Sequence, residues 1–179
     1  MKLNANSPLA ALLAAPMRPG RIGWIGQRPA RRAPMVVVET AHFDPRQGLV
    51  GDRYAGGSGN RQVTLIQREH VMAIASYLGR ETLAPELLRR NIVTIGVNLH
   101  SLVDQRFRLG SAVLHGTGLC HPCSRMEEVL GEGGYNAVRG HGGITARVLE
   151  AGAAAIGDTV LRLTGEVNAR LGQQSALSF

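Results

Sequence analysis

Glycine sets the first limit on what this chain can become. It occurs 23 times in 179 residues and divides the sequence into short runs rich in Val, Ile and Leu. A chain punctuated that often favours short strands and tight turns over long helices. Residues 21–25 and 34–39 read as strands on either side of a basic loop, 26–32. Residues 62–66 and 91–95 are rich in β-branched side chains and read the same way. Residues 107–109 and 112–115 form a hairpin pattern around Gly110, 142–150 reads as a further strand, and 159–163 follows a Gly157-Asp158 turn signal.

Helical signals are few. Val71, Ile74 and Leu78 recur at spacings of three and four, which predicts a helix over 68–78. A second short helix is expected over 83–90, opening near Pro85, and another near the start, with Ser7 as cap and Pro8 at its first position. The sum is a mainly β chain with a few short helices, in a closed or nearly closed β-barrel. One barrel domain over 20–163 is expected, with an N-terminal extension over 1–19 and a polar, loosely held tail over 164–179. A chain of this length buries about two-thirds of its unfolded surface, so folding requires neither disulfide nor metal.

The net charge of +7 and pI near 10.6 invite a nucleic-acid reading, but the distribution speaks against it. Lys2 is the only lysine, and the arginines are scattered from Arg18 to Arg170 with one tight group, Arg28, Arg31 and Arg32. A nucleic-acid surface more often shows a basic stripe interleaved with aromatics. Arginine forks equally suit a phosphate or carboxylate on a small molecule. No apolar run approaches the roughly 20 residues that span a bilayer, so no membrane partner is expected. Two cysteines three positions apart do not make a secreted disulfide framework, and a cytoplasmic location is expected.

Those cysteines lie in the chemically richest segment, Cys120-His121-Pro122-Cys123-Ser124-Arg125. A redox pair would need an alternating β-α setting, which the chain lacks. A structural zinc site would need a second ligand pair at standard spacing, and only His115 and His121 are near. Two buried structural cysteines remain an alternative. Against it, His121 and Arg125 flank Cys123, and positive charge favours the thiolate, a nucleophile and soft-metal ligand. Further on, residues 131–143 form a glycine-dense loop that either cradles an anion or is a plain surface loop. As a cradle it would turn Arg139 and His141 toward Cys123, one binding charge and the other moving protons.

Several segments together resemble one known family. They are Gly48-Leu49-Val50-Gly51-Asp52-Arg53, Arg89-Arg90-Asn91-Ile92-Val93, Phe107-Arg108-Leu109-Gly110, Cys120-His121-Pro122-Cys123 and Gly157-Asp158-Thr159-Val160. In this order the chain resembles a MOSC domain (the C-terminal domain of molybdenum cofactor sulfurase), of the small stand-alone bacterial type. The resemblance runs from about residue 20 to 163 and implies a β-barrel of the pyruvate-kinase barrel type. It also implies a molybdenum cofactor (molybdopterin), with Cys123 as the working thiol and molybdenum ligand and Cys120 as a neighbour able to resolve a persulfide or disulfide. Arg89 and Asn91 match positions that hold the cofactor in the reducing branch of the family. Asp52 and Arg53 match a Gly-Asp-Arg segment and are expected either as cofactor ligands or as a local ion pair.

Two activities follow from that resemblance. One is reduction of N-hydroxylated small-molecule substrates, with electrons from a separate reductase. The other is carriage of sulfur as a persulfide on Cys123, supplied by a pyridoxal-phosphate-dependent cysteine desulfurase. Pyridoxal phosphate itself is not expected on this chain, because Lys2 is the only lysine able to form a Schiff base. A non-enzymatic anion- or nucleic-acid-binding barrel rests on charge alone.

Overall fold

The structure is a computed structural model that describes residues 7–54 and 56–163. Lys2 and the tail from 164 onward, about which the sequence raised expectations, lie outside the described residues.

A short helix α1 (Pro8–Ala14) opens the described chain, and the Ser7 hydroxyl accepts from Ala10 N as its cap. Strand β1 (Gly20–Gln27) follows, then β2 (Val36–Val37), β3 (Thr40–Asp44), β4 (Gly48–Leu49) and β5 (Val63–Gln67). Helices α2 (Arg68–Tyr77) and α3 (Pro85–Leu88) lead to β6 (Ile92–Ile95). A 3-10 turn at Leu99–Leu102 precedes the hairpin β7 (Arg106–Leu109) and β8 (Ala112–Leu119). Helices α4 (Ser124–Leu130) and α5 (Gly134–Val138) come next, before β9 (Ile144–Glu150), β10 (Gly152–Ala155) and β11 (Thr159–Arg162).

The main sheet runs β11-β7-β8-β9-β5-β6-β1, and β11 also pairs with β1. That last pairing, Gly20 opposite Val160, closes a seven-stranded barrel and removes its open edges. Among the described strand pairs only β5 and β6 run parallel, and α2 with α3 supplies the crossover that parallel neighbours need. A small sheet, β10-β3-β4, lies beside the barrel. Two apolar clusters hold the fold. One fills the barrel, with Ile22, Leu65, Phe107 and Leu114 at its centre. The other packs the helices on its outside through Ile66, Ile74, Leu88 and Met126. Strand β5 is buried on both faces because Leu65 points to the first cluster and its neighbour Ile66 to the second. Each such side chain contributes about 1.5–3 kcal/mol.

Two details depart from the sequence reading. The strand expected over 34–39 shrinks to Val36–Val37, both exposed, because it pairs only at the end of β1. Part of the expected glycine-dense loop, Gly134–Val138, is ordered as α5, packed on the helical cluster through Ala137 and Val138.

Candidate functional site

The residues of chemical interest sit where strands end. Arg28 follows β1, Arg61 and Thr64 lie at the start of β5, Arg89 to Asn91 precede β6, and Cys120 to Cys123 link β8 to α4. They converge in one cleft of about 280 Å³, lined by Arg28, Arg53, Arg61, Arg89, Arg90, Arg125, Thr64, Cys120, His121, Cys123 and Met126.

Its floor is a closed polar network. The Asn91 side chain is fully buried. Its Oδ1 accepts from Thr64 N at 3.1 Å, Thr64 Oγ1 at 2.8 Å and Arg28 Nη2 at 3.2 Å. Its Nδ2 donates to Gly26 O at 3.2 Å and to Asp52 Oδ1 at 2.9 Å. The Asp52 carboxylate, 0% exposed, also takes a two-pronged grip from Arg28, Nε to Oδ1 at 3.0 Å and Nη2 to Oδ2 at 2.7 Å. Asn91, expected to hold the cofactor, is therefore spent within the protein, since its amide has neither exposure nor a spare hydrogen bond. Asp52 is likewise spent within the protein, and its ion pair runs to Arg28 rather than to adjacent Arg53. Both residues serve to aim Arg28.

A second network fixes the thiol loop. Arg90 is 7% exposed and donates from Nε to Gly142 O at 2.8 Å, from Nη1 to Leu88 O at 2.8 Å and from Nη2 to Cys120 O at 3.4 Å. Cys120 N donates to Gly143 O at 2.8 Å. Gly142 and Gly143 must be glycine for this approach: a Cβ on the first would meet Cys120 O, and one on the second would meet Leu65 O. Gly143 also has φ +82°, the left-handed region that side chains disfavour.

The two thiols are unalike. Cys120 is buried, with Arg61 Nη2 3.8 Å from its sulfur, whereas Cys123 is exposed. Burial, and then the charges of Arg125, Arg28 and Arg53, push Arg89 below the usual guanidinium range, and desolvation does the same to Arg90. Among the described residues Arg53, Arg61, Arg89 and Arg90 meet no carboxylate at ion-pair distance, and Arg125 reaches Glu128 only at 3.5 Å. Arg125 Nε is buried with no hydrogen-bond partner. So much uncompensated positive charge around a thiol suits an anion.

His141 and Arg139 do not join it. The His141 ring packs 4.7 Å from that of His70 and its Nε2 lies 3.4 Å from the Tyr77 hydroxyl. Arg139 is exposed and donates to Asn136 Oδ1. Residue 141 begins the turn into β9, and the glycines after it, not the histidine, approach the thiol loop. Sequence reasoning for its part missed Arg28, Arg61, Arg90 and Thr64 as site residues. Arg28 carried a signal in its tight basic group; Arg61 carried none.

The domain model of the MOSC family matches residues 39–161, a stretch that holds most of this cleft and both cysteines. The chain belongs to the MOSC domain family. MOSC domains are generally molybdenum-cofactor-binding. This MOSC domain is similar in structure to the YUAD protein from Bacillus subtilis, with TM-score 0.69 and 21% identity over 80% of this chain and 94% of that one. It is also similar to YiiM from Geobacillus stearothermophilus, with TM-score 0.67 and 16% identity over 84% and 78% of the two chains. For YiiM from Escherichia coli the values are 0.62 and 17%, over 80% and 70%. At such identities the likeness is one of fold. No curated protein matches this MOSC domain in sequence. No helix among the described residues is long and apolar enough to cross a membrane.

The cofactor fits the residues of this MOSC domain. Among the described residues no group of three or more His, Cys, Asp or Glu converges on a metal position. One exposed soft thiol amid arginines instead suits a metal that arrives with its own anionic organic ligand. The guanidinium groups of Arg53 and Arg61, which meet no carboxylate among the described residues, are donors such a ligand would satisfy.

Proposed function

We propose that this MOSC protein binds the molybdenum cofactor with Cys123 as thiolate ligand and reduces N-hydroxylated compounds with electrons from a separate reductase. The observation that carries the reading is the exposed Cys123 thiol opening into a cleft with six arginines. Arg28, aimed by Asp52 and Asn91, would grip the cofactor's phosphate together with Arg53 and Arg61. The cofactor, when bound, supplies two-electron redox chemistry at molybdenum. Cleavage of an N–OH group to N–H takes two electrons and two protons and releases water. His121, exposed beside Cys123, would hand on a proton from its imidazole. That role falls to His121 because His141 lies outside the cleft.

A second reading is favoured by the exposure of Cys123, which leaves its sulfur within reach of another protein. There the thiolate would carry a persulfide received from a pyridoxal-phosphate-dependent cysteine desulfurase. Molybdenum per chain, measured after anaerobic reconstitution of wild type and Cys123→Ser, separates the two. Near-stoichiometric metal in wild type alone supports ligation. Metal in neither, with a labile sulfur on Cys123 after desulfurase treatment, sinks ligation and supports the carrier.

A further inference from the structure

Next to the thiol cleft lies a second one of about 280 Å³, between the β1–β2 loop and helices α3 and α4. Ala33, Pro34, Met35, Leu87 and Val129 give it apolar walls, and Glu86 is the one carboxylate among its lining residues. Arg89 and Arg125 line both clefts and so form the wall between them. Arg89 is held there by its own donation from Nη1 to Ala33 O at 2.8 Å. An ion pair from Arg32 to Glu128 at 3.6 Å ties the loop to α4.

The backbone carries an independent mark. Among the described residues only Arg32, Arg89 and Asp104 are non-glycine residues with left-handed φ, and the first two line this cleft. Strain of that kind persists where surrounding structure holds a residue in a required place. Holding Arg89 left-handed at the end of α3 puts its guanidinium on the shared wall, and Arg125 beside it has a buried Nε that nothing in the protein satisfies.

We propose that this second cleft is the substrate subsite: it takes the compact apolar body of a molecule whose oxygen-bearing head is held by Arg89 and Arg125 at the border of the thiol cleft. The volume of about 280 Å³ lies just below the range of small-molecule pockets, which run from about 300 Å³ upward, so the apolar body is ring-sized and no larger than a compact ring system. This rests on the reading that the reacting centre is at Cys123, and it adds that substrates are selected by a ring-sized group beside that centre. Aliphatic heads without a body gain only the arginine contacts.

Benzoate and acetate are the probes, since they share a head and differ by the ring. Their binding to the purified protein is measured by ligand-observed NMR for wild type, Val129→Trp and Met35→Ala, with molybdenum content determined on the same preparations. Benzoate is expected to bind wild type at least tenfold more tightly than acetate. Val129→Trp, which fills the cleft, removes that preference and leaves acetate binding and bound metal unchanged. Met35→Ala, on a loop outside the two apolar clusters, removes an apolar wall and weakens benzoate binding while leaving acetate binding unchanged. Equal binding of benzoate and acetate by wild type, or an unchanged ring preference in both variants, overturns the proposal. Absence of molybdenum from all three proteins after anaerobic reconstitution would overturn the cofactor reading instead, while the ring preference still decides the cleft.

Discussion

Asp52 Oδ1 lies 2.9 Å from the Asn91 amide nitrogen, and through that contact two loops 39 positions apart jointly hold Arg28 over the thiol cleft. Asp52→Ala leaves the Arg28 guanidinium without its carboxylate and the Asn91 amide with an unmet donor. Breaking a buried ion pair costs about 3 kcal/mol or more, discounted here because Arg28 keeps some exposure. A loss of about 2–3 kcal/mol in urea unfolding is expected, together with weaker retention of anionic ligands. Unaltered stability would show that the network contributes nothing.

The unequal exposure of the cysteines gives a direct chemical readout. Iodoacetamide should label Cys123 in the native protein, while Cys120, 3% exposed, reacts only after denaturation. Peptide mass analysis reads the result. Labelling of both thiols at one rate under native conditions would contradict the packing of Cys120 under Gly143 and Arg90.

Gly143→Ala places a Cβ against Leu65 O at a backbone angle that already disfavours it. The expected cost is at least about 2 kcal/mol, combining the left-handed penalty with the clash. Because Cys120 N hangs on Gly143 O, the thiol loop should move too. Faster alkylation of Cys120 in this variant is the specific sign; a destabilised protein whose Cys120 stays protected would separate the turn from the site.

His70 supplies the pH dependence. Burial, then the charges of His141 and His100, lower its pKa from 6.5, with Glu69 opposing. A base with a depressed folded-state pKa holds fewer protons folded than unfolded, so it adds stability above about pH 6.5 and loses it as pH falls through the folded value. The urea midpoint of wild type should therefore drop on going from neutral pH to below the folded-state pKa. His70→Phe should show a smaller drop, and an equal drop in both would assign the acid sensitivity elsewhere.

Much of the barrel was legible because its signals are local. Ser7 and Pro8 start α1 as expected, the Val71, Ile74 and Leu78 spacing falls on α2 and its end, and Gly110 turns the β7–β8 hairpin. Strands β3 and β10 were not read: the alternation in β3 is only five residues long, β10 is Gly-Ala-Ala-Ala without a β-branched residue, and each is held by pairing with the other. Local order in 131–143 was missed as well, since α5 depends on the apolar cluster it covers.

The amino-acid sequence by itself determined a short-stranded β fold, the family, and a thiol segment flanked by positive charge, because turn chemistry and side-chain type are properties of neighbours along the chain. Only the tertiary structure decided which charges meet. It gave Asp52 to Arg28 instead of Arg53, buried Asn91, brought Arg61 to Cys120, and turned His141 toward His70 and Tyr77. Those outcomes depend on the register of strands distant in sequence and on which hydrogen bonds remain after the core has packed.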